Sequence, residues 1–265
     1  MKIIRFQTSS ETGHAALQDN GRALVIEGDI FGEFRASNRV VENFQLLAPI
    51  QPATIMCIGL NYRQHALETN APIPQYPVLF FKAPTALQHP NEPILLPTHL
   101  KSDQVDYECE LAVIIGKTCK NATRDNALDF VLGYSCANDV SARDWQKARG
   151  GSQWSRGKTF DTFCPLGPVL VTRDEIPDPN TLVIQTRLNG EQVQSSNTSD
   201  MIFDVPTLIE FLSGSTTLQP GTVILTGTPS GVGMARTPQL WLKKGDEVTV
   251  EIEKIGRLTN PVREE

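Results

Sequence analysis

Positive charge is not in excess in this chain. Its 24 Lys and Arg residues are outnumbered by 30 Asp and Glu, for a net charge of −6 over 265 residues. That balance argues against a nucleic-acid partner, which calls for a basic face. The clusters Lys117/Lys120/Arg124 and Lys243-Lys244 are short and read as solvated surface. Cysteine is sparse and unpatterned: Cys57, Cys109, Cys119, Cys136 and Cys164 form no CxxC pair and no zinc spacing. Cys57, Cys109 and Cys136 lie in apolar runs, as buried free thiols of a reducing compartment do. No apolar run is long enough to span a membrane, and Met1–Phe6 lacks the apolar stretch of a signal peptide. Together these features predict a cytoplasmic protein with no membrane partner. There is no Gly-x-Ser-x-Gly elbow and no His or Cys cluster at transition-metal spacing. The Gly-rich segment Thr226–Gly233 lacks the Gly-Lys-Ser/Thr ending of a nucleotide loop, so it suits close backbone approach to a small anion instead.

A regular alternation of strands and helices is also missing, which excludes a doubly wound parallel sheet. What remains is strand-rich. At 40% hydrophobic and 20% charged residues the composition is that of a globular protein, large enough for one large domain or two modest ones. Residues 1–50 read as a small β-rich domain containing a strand at Ala23–Ile26, with Pro49–Pro52 as linker and 51–265 as the main domain. In the latter, Ile55–Gly59, Val78–Phe81, Thr222–Thr226 and Glu247–Glu253 predict strands, and Leu182–Ser195 predicts a hairpin turning at Asn189-Gly190. Helices are expected from Ser141, with a capping-box pattern, and from Asp204-Val205-Pro206 to about Ser213.

The most informative segment is Val105–Gly116, read as one strand entering the core. Strand residues i and i+2 share a face, so Glu108 and Glu110 project together. Two such acids are either a solvated edge or an ion site, because burying them unpaired is costly. Asp139, at the end of the apolar run Phe130–Ala137, is a third carboxylate; three with no His or Cys suit a hard cation such as Mg²⁺ or Mn²⁺. On a helix after Ile55–Gly59, His65 and Glu68 are i and i+3 and suit a general base, or merely a surface pair. The Pro-rich stretch Asn70–Pro77 that follows is a candidate lid. Arg143 and Gln146 have the same spacing and could grip a carboxylate; Arg143 could equally pair with a nearby acid. Lys158, in an otherwise uncharged aromatic run, is either a snorkelling surface residue or a cation of the site.

Together, residues 53 to 263 resemble the fumarylacetoacetate hydrolase superfamily. The resemblance rests on Gly59-Leu60-Asn61-Tyr62 with His65 and Glu68, and on the segments Asp106–Leu111, Asn138–Asp144, Gly157–Asp161 and Thr226–Gly233. Asp144–Gln146, Thr159–Pro168 and Gln194–Thr198 are especially similar to its domain-containing protein 2 branch. The resemblance implies a mixed-β sandwich roll with few helices and a homodimer holding Mg²⁺ or Mn²⁺, with Ca²⁺ as a possible substitute. It implies Glu108, Glu110 and Asp139 as metal ligands, Lys158 as site lysine, and His65 with Glu68 as the water-activating dyad. Arg143, Gln146 and Thr228 would lie near the substrate carboxylate. The implied substrate is a small 2-oxo acid of the acylpyruvate, fumarylpyruvate or oxaloacetate type. The reaction would pass through a metal-stabilised enolate to C–C hydrolysis, oxaloacetate keto–enol tautomerisation or decarboxylation. Leu60 stands where some acylpyruvate hydrolases carry Arg, which leans away from acylpyruvates. The family's fourth aspartate ligand has no clear match. A reading of another class is a catalytically silent metal-binding fold.

Overall fold

Apolar runs rich in β-branched residues become strands, and strands dominate a computed structural model that describes residues 1–265. In chain order they are β1 Lys2–Gln7, β2 Thr12–Leu17, β3 Ala23–Gly28, β4 Phe34–Val41, β5 Gln45–Leu47, β6 Thr54–Gly59, β7 Val78–Lys82, β8 Leu87–Gln88, β9 Ile94–Leu96 and β10 Val105–Asp106. They continue with β11 Cys109–Ile115, β12 Val131–Asn138, β13 Ser141–Ala142, β14 Cys164–Thr172, β15 Val183–Leu188, β16 Glu191–Asn197, β17 Thr222–Leu225, β18 Glu247–Ile252 and β19 Gly256–Glu264. The α-helices are short: α1 Arg63–Glu68, α2 Trp154–Lys158 and α3 Val205–Ser213.

Twelve strands form one sheet, ordered β4-β3-β2-β1-β14-β12-β11-β17-β6-β7, with β5 on β1 and β8 on β14. Five form a second sheet, β16-β15-β18-β19-β9, and β10 pairs with β13 alone. Pairing is antiparallel except at β17–β6, β14–β8 and β19–β9. The sheet-rich fold with few helices is the one that the missing strand–helix alternation implied. β1 joins the first fifty residues to the large sheet through Lys2↔Val171 and Ile3↔Leu170.

The two-sided burial of β11 positions the site. Leu111, Val113 and Ile115 pack with Ile184 and Val250 of the second sheet and with Leu208 and Leu212 of α3. Ala112 and Ile114 enter a separate core on the other face, with Cys57, Phe80 and Cys164. A strand covered on both faces reads as an unbroken apolar run. Alternation along it puts Glu110 on the Ala112 side.

Local signals are realised where the chemistry is local. Asn189 (φ 53°) and Gly190 (φ 84°) supply the two left-handed residues of the predicted hairpin turn. Asp204 caps α3 by accepting from Thr207 N at 3.1 Å. The helix expected from Ser141 differs. Ser141 and Ala142 are strand β13, and the Ser141 hydroxyl donates to Asp139 O at 2.8 Å instead of capping. The turn starts at Asp144, whose carboxylate accepts from Trp145 N at 2.9 Å, and it is π-helical over Trp145–Arg149.

Candidate active site and metal centre

The segment expected as one strand is broken in the middle. β10 ends at Asp106, β11 begins at Cys109, and Tyr107 and Glu108 make the crossing. Asp106 holds the break. Its fully buried carboxylate accepts from the backbone N–H groups of Tyr107 (2.9 Å), Gly233 (2.7 Å) and Met234 (3.0 Å). Beyond the break, Cys109 pairs with Asn138, which sets Glu108 opposite Asp139. Glu108 N donates to Asn138 Oδ1 at 3.0 Å and Asp139 N to Glu108 O at 2.9 Å, completing the register. Carboxylate oxygens of Glu108, Glu110 and Asp139 then lie within 4.8 Å of one another, all buried. The sequence leaves a solvated edge and an ion site open, and the burial of all three acids removes the solvated edge.

Fixed cations surround this cluster. Lys158 Nζ donates to Glu108 Oε2 at 2.8 Å and to Asp139 Oδ2 at 2.6 Å, and lies 5.0 Å from the centre of the Phe80 ring. Burial alone would lower the Lys158 pKa, but Asp139 and Glu108 outweigh it and raise it. With these two acids as its partners Lys158 is held in its charged form. Arg143 Nη2 sits 2.8 Å from Asp106 and 2.6 Å from Glu108, its Nη1 donates to Gln146 Oε1 at 3.0 Å, and its pKa too is raised. The Arg143 guanidinium is thus committed to the protein's own acids. A third cation escaped the sequence reading: Lys82 Nζ, buried at the end of β7, donates to Asp139 Oδ1 at 2.5 Å and Val140 O at 3.1 Å.

These pairings leave one acid over. Burial costs the charged form of Glu108, but Lys158 and Arg143 more than offset it and hold this carboxyl down at about 2. Glu110 forms no ion pair and accepts only from Gly227 N at 2.7 Å. Burial, then Asp139 and Glu108, push its pKa well above the ordinary carboxylate range. A buried carboxylate among carboxylates needs either a proton or a cation. An all-oxygen set of three acids, one of them uncompensated, fits a hard divalent ion.

A cavity of about 270 Å³ opens onto this cluster and is lined by Glu108, Glu110 and Lys158 together with His65, Arg143, Gln146 and Thr228. Its size suits a ligand smaller than a drug-like molecule. No residue of the first fifty lines it. His65 and Glu68 share one face of α1, and His65 Nδ1 is 2.7 Å from Glu68 Oε1. A carboxylate only accepts here, so in the neutral ring Nδ1 carries the hydrogen and the lone pair is on Nε2. Arg143 only donates, so it fixes the Gln146 carbonyl and leaves the Gln146 amide N–H groups for a ligand. Gln194 acts likewise on Thr228. Its Nε2 donates to Thr228 Oγ1 at 2.8 Å, so the threonine proton is free to donate elsewhere. Leu60, at φ 51°, lines the wall in a backbone region that bulky residues rarely adopt, as functional sites often impose.

The Gly-rich loop does approach anions, but they are side chains of the protein itself. Gly227 N serves Glu110, Gly231 N serves Glu68 Oε2 at 2.9 Å and Gly233 N serves Asp106. Glycine is required here for different reasons at different positions. Gly227 has φ +99°, and a Cβ would meet Asn61 Cβ at 2.7 Å. Gly157, one residue before Lys158, lies against the Arg143 segment so closely that a Cβ would sit 2.4 Å from Gln146 N and 2.6 Å from Ala142 O. Both neighbours are backbone and cannot swing aside. Gly157→Ala should therefore cost about 1–3 kcal/mol in urea unfolding and shift Lys158 from its partners; unchanged stability would show that α2 is free to move.

Residues 54–263 match the family described as fumarylacetoacetate (FAA) hydrolase C-terminal, and residues 1–49 match one described as Rv2993c-like, N-terminal. The chain is similar to a Bos taurus protein named oxaloacetate tautomerase FAHD2A, mitochondrial, at 51% identity over 95% of this chain and 77% of that one. It is similar to the corresponding Xenopus laevis mitochondrial protein at 48% identity over 97% and 78%. Among solved structures it is similar to a 5-carboxymethyl-2-hydroxymuconate delta-isomerase from Mycobacterium smegmatis, at 39% identity, TM-score 0.88 and 100% coverage of both chains. The mitochondrial relatives overturn the cytoplasmic placement predicted above. Buried reduced thiols argue against an oxidising environment but do not distinguish one reducing compartment from another.

Proposed function

The chain belongs to the fumarylacetoacetate hydrolase family, and on that premise we propose that it is a divalent-metal-dependent oxaloacetate tautomerase, interconverting the keto and enol forms. The observation that carries the reading is a proton acceptor and a fixed cation in one small cavity: the His65–Glu68 pair and Lys158. Both relatives reported above are named for this reaction and support it.

Tautomerisation moves one proton from C3 to the C2 oxygen by way of an enolate, so the site needs a group that takes the C3 proton and returns one to oxygen, and a cation for the charge in between. In the proposed assignment neutral His65 takes the C3 proton at Nε2, because Glu68 holds the other ring nitrogen in its protonated form, and the imidazolium so formed returns a proton to the C2 oxygen to give the enol. Lys158 stays charged and stabilises negative charge growing on the C2 oxygen. Gln146 and Thr228 donate to the substrate's C1 carboxylate and fix its orientation, and Arg143 and Lys82 hold Glu108 and Asp139 in place. Glu108, Glu110 and Asp139 would hold Mg²⁺ or Mn²⁺, which when bound polarises the keto group as a Lewis acid. A homodimer is part of the proposal; Leu79 and Phe81, exposed on edge strand β7, are apolar surface that a partner would cover.

Following oxaloacetate by ¹H NMR with Mg²⁺-loaded enzyme should show faster keto–enol exchange with all four carbons retained, loss of that acceleration in EDTA, and recovery on adding Mg²⁺ or Mn²⁺. Release of CO₂ or a cleaved product instead of exchange would replace this reading with decarboxylation or hydrolysis, and full activity in EDTA would remove the metal from it.

A further inference from the structure

We propose that Lys147 is the specificity residue that receives the distal carboxylate of the substrate, so that the site prefers 2-oxo acids with an acid at both ends. This deepens the tautomerase reading and rests on it for the orientation of the substrate.

The cavity over the carboxylate cluster continues outward into a second chamber of about 260 Å³, lined by Glu68, Gln104, Ala235, Gln239 and Trp241. Thr69, Arg143, Lys147 and Met234 line both chambers and so mark the passage between them. With its C1 carboxylate on Gln146 and Thr228 and its C2 oxygen at Lys158, as in the proposed function, a 2-oxo acid has its reactive end in the inner chamber, and this passage is a way out for its remaining carbons.

The cations along this route are few and nearly all engaged. Lys158 is held by Glu108 and Asp139, and Arg143 by Asp106 and Glu108. Lys147 has neither an ion pair nor a hydrogen bond to any protein side chain, while its neighbour Arg149 pairs with Asp144 at 3.1 Å. The one acid of the outer chamber, Glu68, does not compete for it, since its oxygens are occupied by His65 Nδ1 and Gly231 N. Lys147 follows Gln146 in the π-turn and Arg143 is four residues before it, so the amide given to the proximal carboxylate and the ammonium given to the distal one come from one segment. An exposed ammonium on a flexible stem gives a modest, salt-screened attraction that acts on binding and leaves the chemistry alone.

The test uses metal-loaded wild type, Lys147→Met and Lys147→Glu. Two stable acids, 2-oxoglutarate and 2-oxopentanoate, differ in whether the far end is carboxylate or methyl, and their Kd values are read by calorimetry beside the KM and kcat for oxaloacetate. Lys147→Met should raise the 2-oxoglutarate Kd and the oxaloacetate KM about three- to fivefold, leave kcat and the 2-oxopentanoate Kd unchanged, and flatten the salt dependence of the 2-oxoglutarate Kd; Lys147→Glu should raise the two affected constants further. Equal shifts for both acids, or no shift for either, overturn the assignment. If the wild type does not tautomerise oxaloacetate, the tautomerase reading fails, and the pair of stable acids still decides the role of Lys147.

Discussion

Glu110→Gln is expected to abolish divalent-ion binding and to cut turnover by about 10³-fold, a barrier increase of about 4 kcal/mol, while leaving the metal-free protein at least as stable as the wild type. The reason lies in the pairing of charges. Glu110 is the buried acid that no cation answers, and its single contact, from Gly227 N, can be kept by an amide oxygen. Burial, Asp139 and Glu108 already favour the uncharged form of Glu110 in the metal-free protein, and the amide makes that form permanent. Glu108→Gln should do the reverse in the metal-free state, because it takes away the shared partner of Lys158 and Arg143 and leaves buried cations short of an anion, costing about 3–5 kcal/mol. Urea unfolding of both variants in EDTA, with Mn²⁺ titration of each, separates the two. Were Glu110→Gln the less stable of the pair, or still able to bind Mn²⁺ tightly, the charge assignment would be wrong.

The same asymmetry sets the signs of the pH dependence. The folded pKa of Glu110 lies above its unfolded value, so in the window between them the folded, metal-free chain holds a proton that the unfolded chain has lost. In that window Glu110 makes stability fall as pH rises, and the slope should vanish in Glu110→Gln. Glu108 is depressed to about 2, so its contribution is present above the unfolded carboxylate range and lost as pH falls toward 2. A divalent ion competes with the Glu110 proton, so affinity for Mn²⁺ should weaken as pH falls.

How much of this was legible depended on how far apart in sequence the interacting groups are. The Asn189-Gly190 turn, the Asp204 cap and the His65–Glu68 pair are contacts within a few residues, and each could be read from spacing. The carboxylate cluster was legible because the acids stand out against apolar strands, although the reading of one continuous strand missed the break at Tyr107-Glu108. A lysine ending the run Val78–Phe81 is a visible signal of Lys82, but nothing nearby names its partner, which lies 57 residues away. Asp106 was visible only as part of a motif, since the amides it staples belong to Gly233 and Met234, 127 and 128 residues on. The Gly-rich loop reads as an anion binder, but its anions, Glu110, Glu68 and Asp106, are more than 100 residues away in the chain. Arg143 went to two acids rather than standing free for a substrate, an alternative that spacing left open.

Substitutions at the His65–Glu68 pair should affect activity in an order that the loop dictates. His65→Asn removes the only imidazole lining the cavity and should lower kcat by about 10²–10⁴-fold with little loss of stability. Glu68→Gln should be nearly as damaging even though it changes only one atom. Glu68 Oε2 accepts from Gly231 N, and a glutamine there keeps its carbonyl on that donor. Its amide N–H then faces His65 Nδ1, the nitrogen that Glu68 Oε1 now accepts from at 2.7 Å. Nδ1 must become the acceptor, so the proton moves to Nε2, and the nitrogen assigned to take the C3 proton already carries one. Glu68→Ala makes no such demand, because water can replace the carboxylate oxygen, and should retain more activity than Glu68→Gln. Measuring kcat for all three under metal saturation, with ¹⁵N NMR of the His65 ring to read its tautomer, tests the order directly. Glu68→Gln with near-normal kcat and an unprotonated Nε2 would show that the loop does not hold the side chain, and would take proton transfer away from His65 as oriented by Glu68.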